Sequence, residues 1–113
     1  AVTIPAGERR MIPTGIAIAL PSADYVALVY ARSGLGVKHG VAPANCVGVI
    51  DSDYRGEIGV IMIHLGSEDF TIIDGERICQ MVIKEYTRVD WEPVSRIDET
   101  ERGEGAFGHT GAN

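Results

Sequence analysis

The sequence predicts an all-β domain of the sandwich or barrel kind, and three observations carry that expectation. Apolar residues fall in short runs punctuated by Gly, Pro, Asp and Ser, the form of many short strands joined by turns. Aliphatic and aromatic residues make up 45% of the chain but aromatics only 6%, so burial rests on Val, Ile, Leu and Ala rather than on rings. No long segment repeats apolar residues at helical spacing, so helices have almost no place to start. At 113 residues the chain is one domain, long enough to bury a single core.

Taken in order, residues 11–20 predict a first strand, with Ile16, Ile18 and Leu20 on one face and Ala17 and Ala19 on the other. Residues 24–30 predict a second, and Pro21-Ser22 leaves room for one helical turn before it. Ala31-Arg32-Ser33-Gly34-Leu35-Gly36 reads as a loop rich in donors: a guanidinium, a hydroxyl and exposed amides, the groups a polyphosphate needs. Residues 47–50 and 57–65 read as the arms of a hairpin around Asp51-Ser52-Asp53-Tyr54-Arg55-Gly56. Extended alternation carried into that turn sets Asp51 and Asp53 on one face, Ser52 and Tyr54 on the other. Residues 70–73 and 78–86 predict two further strands joined by Asp74-Gly75-Glu76, with Gly75 supplying a positive φ. Gln80 falls inside the last of these, so its amide needs a partner, either backbone or ligand. After Trp91 the apolar content collapses, and acidic residues crowd around Arg96 and Arg102 before a Gly-rich end. The chain therefore divides into a β-domain over residues 1–90 and a mobile arm over residues 91–113.

A formal charge of −6 argues against a nucleic-acid-binding surface, which would cluster Lys and Arg to neutralise phosphates. A small anionic substrate needs only a few local cations, and Arg32, Lys38, Arg77 and Arg102 each lie in or beside a Gly-containing turn. Cys46 and Cys79 are far apart, and His39, His64 and His109 are scattered, so no zinc-ligand spacing is present; two buried, reduced thiols are expected. No apolar run approaches membrane-spanning length and no signal-peptide pattern opens the sequence. A soluble cytoplasmic protein is expected, or a nuclear one in a eukaryote, with neither nucleic acid nor membrane as a partner.

Two segments carry chemistry. Gly48-Val49-Ile50-Asp51-Ser52-Asp53-Tyr54-Arg55-Gly56 places a carboxylate and a phenol three residues apart near the end of an apolar run. Arg102-Gly103-Glu104-Gly105-Ala106-Phe107-Gly108-His109-Thr110-Gly111 combines glycines, an arginine and a ring. Asp is common in turns, so Asp51 and Asp53 alone signify little. The Gly103-x-Gly105-x-x-Gly108 spacing is a weak match to a dinucleotide fingerprint, because no helix follows it to receive a pyrophosphate. A base for water, backbone amides for phosphate and a ring for a nucleobase, occurring together in one short chain, point to nucleotide hydrolysis.

Arg32-Ser33-Gly34-Leu35-Gly36, the segment from Asn45 to Gly56, Gly75-Glu76-Arg77-Ile78-Cys79-Gln80-Met81, and the segment from Arg102 to Gly111 resemble, in order, motifs two to five of the trimeric dUTPases. The resemblance implies a jelly-roll or distorted β-barrel subunit with a Gly-rich arm, assembled as a homotrimer whose active sites draw on more than one subunit. It implies hydrolysis of dUTP to dUMP and pyrophosphate, limiting uracil incorporation into DNA and supplying dUMP for dTMP synthesis. Asp51 matches the carboxylate that activates the attacking water, and Tyr54 the ring beneath the deoxyribose. Asn45 with the backbone of Val49, Ile50 and Gly59 matches the uracil-binding edge. Arg32, Ser33, Gly34 and Gln80 match phosphate contacts, with Arg77 in support. Arg102 is implied to reach the terminal phosphate, Phe107 to cover the uracil, and Gly108, His109 and Thr110 to bring amides and a hydroxyl to the phosphates. Magnesium is implied as the cofactor, held through substrate phosphates and waters with no direct protein ligand. The family's first motif, an Ala-Gly-x-Asp-type segment, has no counterpart, and the expectation is that the sequence begins inside a longer gene product. The alternatives are a deaminase of the same superfamily acting on dCTP and a non-catalytic dUTP-binding regulator.

Overall fold

A computed structural model describes residues 1–107. Eight strands and one short helix follow in the order β1 (Val2–Ile4), β2 (Arg9–Pro13), β3 (Tyr25–Ala31), α1 (Ser33–His39), β4 (Val41–Pro43), β5 (Gly48–Ile50), β6 (Gly59–His64), β7 (Phe70–Ile72) and β8 (Cys79–Glu85). They form antiparallel sheets in the orders β1-β7, β2-β6-β4 and β5-β3-β8. Every sheet contributes to one core: Ile4, Ile12, Val29, Val41, Val60, Met62 and Ile72 are buried and pack together with Ile58 and Ile78 from the connections. The alternation expected of a half-buried strand is clearest in β6, where Val60, Met62 and His64 point inward. His64 is the one buried polar side chain among the described residues, and its Nδ1–H donates to the Ile4 carbonyl at 3.0 Å, tying β1 to the body.

The sequence-predicted strands over residues 24–30, 70–73 and 78–86 are present, and the turn between the last two is built as expected. Glu76 N–H donates to the Ile73 carbonyl at 3.1 Å, with Gly75 at φ 84° in the position a type II turn reserves for glycine.

Four expectations are corrected. The first strand ends at Pro13 rather than running to Leu20. Beyond it Gly15 turns the chain at φ 73°, and Ile16 is left exposed. The loop expected over residues 31–36 gives way at Ser33 to α1, which escapes pattern recognition because seven residues with two glycines show no period. Its start leans on the Arg32 carbonyl, which accepts from Gly36 N–H, and its end on Gly40, left-handed at φ 68°. The two arms around Asp51 do not pair with each other: β5 bonds β3, while β6 lies between β2 and β4. The thiols are free but not buried, Cys46 being exposed and Cys79 half-buried.

Past β8 the chain carries no further strand or helix through residue 107. The radius of gyration, 19.4 Å, is well above the roughly 13 Å of a compact domain of this size. The described residues after β8 therefore extend off the β body.

Candidate active site

Separation of β5 from β6 opens two adjoining cavities. The larger, of about 370 Å³, is walled by Val49, Ile50, Asp51, Tyr54, Gly59 and the side chains of Met11 and Glu57. The smaller, of about 110 Å³, lies between the ends of β4, β5 and β6 and is lined by Asn45, Gly48, Val49, Ile50 and Gly59 among others. Val49, Ile50 and Gly59 belong to both.

Hydrogen-bond parity explains what the slot offers. Thr14 N–H donates to the Ile58 carbonyl at 3.2 Å, so one residue on, where Pro13 faces Gly59, the polar groups of Gly59 turn away from β2. They turn toward the edge where Ala44 N–H reaches the Ile61 carbonyl at 2.7 Å, but beyond the end of β4 at Pro43. A planar ring with donors and acceptors on one edge can take the place of the strand missing there.

Asp51 and Tyr54 both line the larger cavity, contrary to the alternation expected of them. Tyr54 N–H donates to the Asp51 carbonyl at 3.1 Å, closing a turn that folds residue 54 back beside residue 51. Arg55 clasps the same turn through its guanidinium, which donates to the Ser52 carbonyl at 2.8 Å and the Tyr54 carbonyl at 3.2 Å. The Tyr54 hydroxyl donates to the Glu57 carbonyl at 2.8 Å, and Glu57 Oε1 accepts from Gly15 N–H at 2.9 Å. The turn is thereby tied to the chain that leaves β2.

Arg32, Ser33, Gly34, Arg77 and Gln80 form a separate cluster where β3 runs out into α1 and β8 begins. The Arg32 guanidinium donates to the Arg77 carbonyl at 2.7 Å, and Gln80 Nε2 donates to the Ala31 carbonyl at 2.9 Å. Gln80 thus takes a backbone partner and is exposed. These five residues line neither cavity. Arg102 donates from Nε to its own Gly105 carbonyl at 2.6 Å, and Phe107 is fully exposed. Gly108, His109 and Thr110 lie outside the described residues.

Burial raises the Cys79 thiol above its ordinary pKa, and the Tyr25 phenol is raised chiefly by its hydrogen bond to Glu85. Among the described residues no three His, Cys, Asp or Glu side chains group as metal ligands. Sequence reasoning passed over Met11 and Glu57. Met11 Sδ lies 2.5 Å from where a Cβ on Gly59 would stand, so the methionine fills the space a side chain there would take. Nothing in a single sequence marks that contact, because it joins two strands paired across the sheet. Glu57 offered a weak signal, a carboxylate directly after the Gly56 turn.

Against known proteins, the family model described as dUTPase matches residues 1–111. A deoxyuridine 5'-triphosphate nucleotidohydrolase from Rickettsia felis is 58% identical over 110 residues, covering 97% of this chain and 74% of the relative. One from Finegoldia magna is 48% identical, covering 97% and 76%. The Staphylococcus bacteriophage 80alpha dUTPase, solved with dUPNHPP, is similar with a TM-score of 0.83 and 26% identity over 96% of this chain and 79% of that one. The chain spans about three quarters of the length of these relatives.

Proposed function

The chain belongs to the dUTPase family, and on that premise we propose that it hydrolyses dUTP to dUMP and pyrophosphate at the paired cavities beside Asp51. The observation that carries the assignment is the turn that brings Asp51 and Tyr54 to the lining of a cavity that shares Val49, Ile50 and Gly59 with a backbone-edged slot. Uracil enters the slot, bonded by the Asn45 amide and the backbone of Val49, Ile50 and Gly59. The methyl of thymine is rejected sterically, and cytosine by mismatched donors and acceptors, a strong filter because the slot's own polar groups are left unpaired. The Tyr54 ring underlies the deoxyribose and leaves no room for a 2′-hydroxyl.

Asp51 takes a proton from the attacking water as the new bond to the α-phosphorus forms. The bond from that phosphorus to the bridging oxygen breaks, and the electron pair leaves with pyrophosphate. Arg32, Ser33, Gly34 and Gln80 bind the phosphates, supported by Arg77, and Arg102, Phe107 and Gly108 to Thr110 close over the nucleotide. Closure excludes water other than the nucleophile. A hard divalent cation held by phosphate oxygens and waters, in the manner of magnesium, fits a site whose described residues group no three ligands. Bound there, it neutralises charge on the triphosphate.

The complete site is assembled between copies in a homotrimer, a reading supported by the phosphate cluster lining neither cavity. Supporting this, Met81, Val82 and Ile83 in β8 are 41–45% exposed, an apolar strand left for a neighbour to cover. A cytoplasmic location fits a free nucleotide substrate. Pyrophosphate release from dUTP with magnesium, run beside dTTP, dCTP and UTP, tests the assignment. Release from dUTP alone is expected; equal release from UTP or dCTP would overturn the selection assigned to Tyr54 and the slot.

A further inference from the structure

We propose that Gly56 is a positioning residue for the Tyr54 ring, and that rejection of ribonucleotides depends on the absence of a side chain there. The inference rests on the placement of Tyr54 beneath the sugar proposed above. An ideal Cβ on Gly56 would stand 2.5 Å from the Tyr54 hydroxyl, 2.7 Å from Cζ and 3.1 Å from Cε1, all three nearest atoms belonging to that one ring. Gly56 is not among the positive-φ glycines, so its backbone conformation does not itself demand glycine. What excludes a side chain is the ring, seated against the bare Gly56 backbone with its hydroxyl bonded to the Glu57 carbonyl at 2.8 Å.

Glu57 completes the brace. Its carboxylate accepts from Gly15 N–H, and Thr14 Oγ1 donates to the Ile58 carbonyl at 2.7 Å, so the carbonyl that holds the phenol belongs to a segment bonded across to the chain after β2. The turn cannot simply retreat from an added methyl. The ring, 46% exposed and bordering the larger cavity, can be displaced. It would lose its hydrogen bond and shift into or away from the space assigned to the sugar. Asp51 is held through its own carbonyl by Tyr54 N–H, a backbone contact that ring displacement leaves in place.

The test is a double-mutant cycle between Gly56→Ala and Tyr54→Ala, reading kcat and KM for dUTP and UTP together with Tm. Gly56→Ala is expected to raise KM for dUTP about tenfold and to shrink the preference over UTP, with kcat changed less than about threefold. In the Tyr54→Ala background the same change should have no further effect on KM or Tm, because the ring it meets is gone. Equal effects in both backgrounds would overturn the proposal, since Gly56 would then act through its backbone. Should Gly56→Ala fold poorly, Tyr54→Phe serves: it keeps the ring, loses the bond to Glu57 and is expected to raise KM severalfold, an unchanged KM counting against the brace. Full preference for dUTP in Tyr54→Ala alone would remove Tyr54 from the sugar and sink the sugar-selection role on which this inference rests, whereas Tm coupling between positions 54 and 56 reports the packing separately.

Discussion

Asp51 illustrates how little a residue type says before its neighbours are placed. As an Asp in a turn it is ordinary; lining the same cavity as Tyr54, it is the residue we propose takes the proton from water. Asp51→Asn keeps the shape and removes the basicity. Turnover is expected to fall by about two to four orders of magnitude, while calorimetry with a non-hydrolysable dUTP analogue should give an affinity within a few-fold of the unmodified protein. The two thiols make a second residue-scale prediction. Cys46 is exposed, whereas Cys79 is half-buried and its pKa is raised by desolvation, which lowers its thiolate fraction at any given pH. A disulfide reagent near neutral pH should therefore titrate Cys46 first and Cys79 slowly, with the Cys79 rate climbing as pH rises. Equal rates would contradict the burial.

At the scale of elements, α1 shows two glycines with opposite meanings. Gly40 ends the helix at φ 68°, and a Cβ there would meet Gly66 N at 2.7 Å and the Leu65 carbonyl carbon at 3.1 Å, both backbone and unable to swing aside. Gly40 also accepts at its carbonyl from Leu65 N–H at 2.7 Å, so the approach that excludes a side chain is the one that fastens α1 to the end of β6. Gly40→Ala is expected to cost more than about 2 kcal/mol in urea denaturation. Gly36, inside the helix with nothing within 4 Å, is the control: Gly36→Ala should be neutral or stabilising by up to about 1 kcal/mol. The β5 and β6 runs were legible as strands, and their separation into different sheets was not. A hairpin is the low-cost local solution, and it gives way here to longer-range pairing of β5 with β3 and of β6 with β2 and β4.

For the whole molecule, the β body and the segment after Asp90 make separable predictions. A chain stopped after Asp90 should keep its β-sheet circular dichroism and lose dUTP turnover, since Arg102 and Phe107 are removed while the core residues all precede that point. Sedimentation at micromolar concentration should give three times 12.1 kDa; a monomer would contradict the shared sites proposed. Chelation of magnesium should abolish turnover and leave the thermal unfolding of the free protein nearly unchanged, because the proposed metal is held through the substrate rather than by side chains. By itself, the sequence determined where most strands and turns lie, through period-two patterning and turn residues, and the chemistry available at Asp51, Tyr54, the arginines and the glycines. These are local properties, decided within a few residues. Only the tertiary structure decided that residues 51 and 54 line the same cavity, that Glu57 and Gly56 brace the ring, that Gln80 bonds backbone, and that β8 is left exposed. Each of these follows from which strands pair and what packs behind a turn, contacts between residues distant in the chain that no local periodicity encodes.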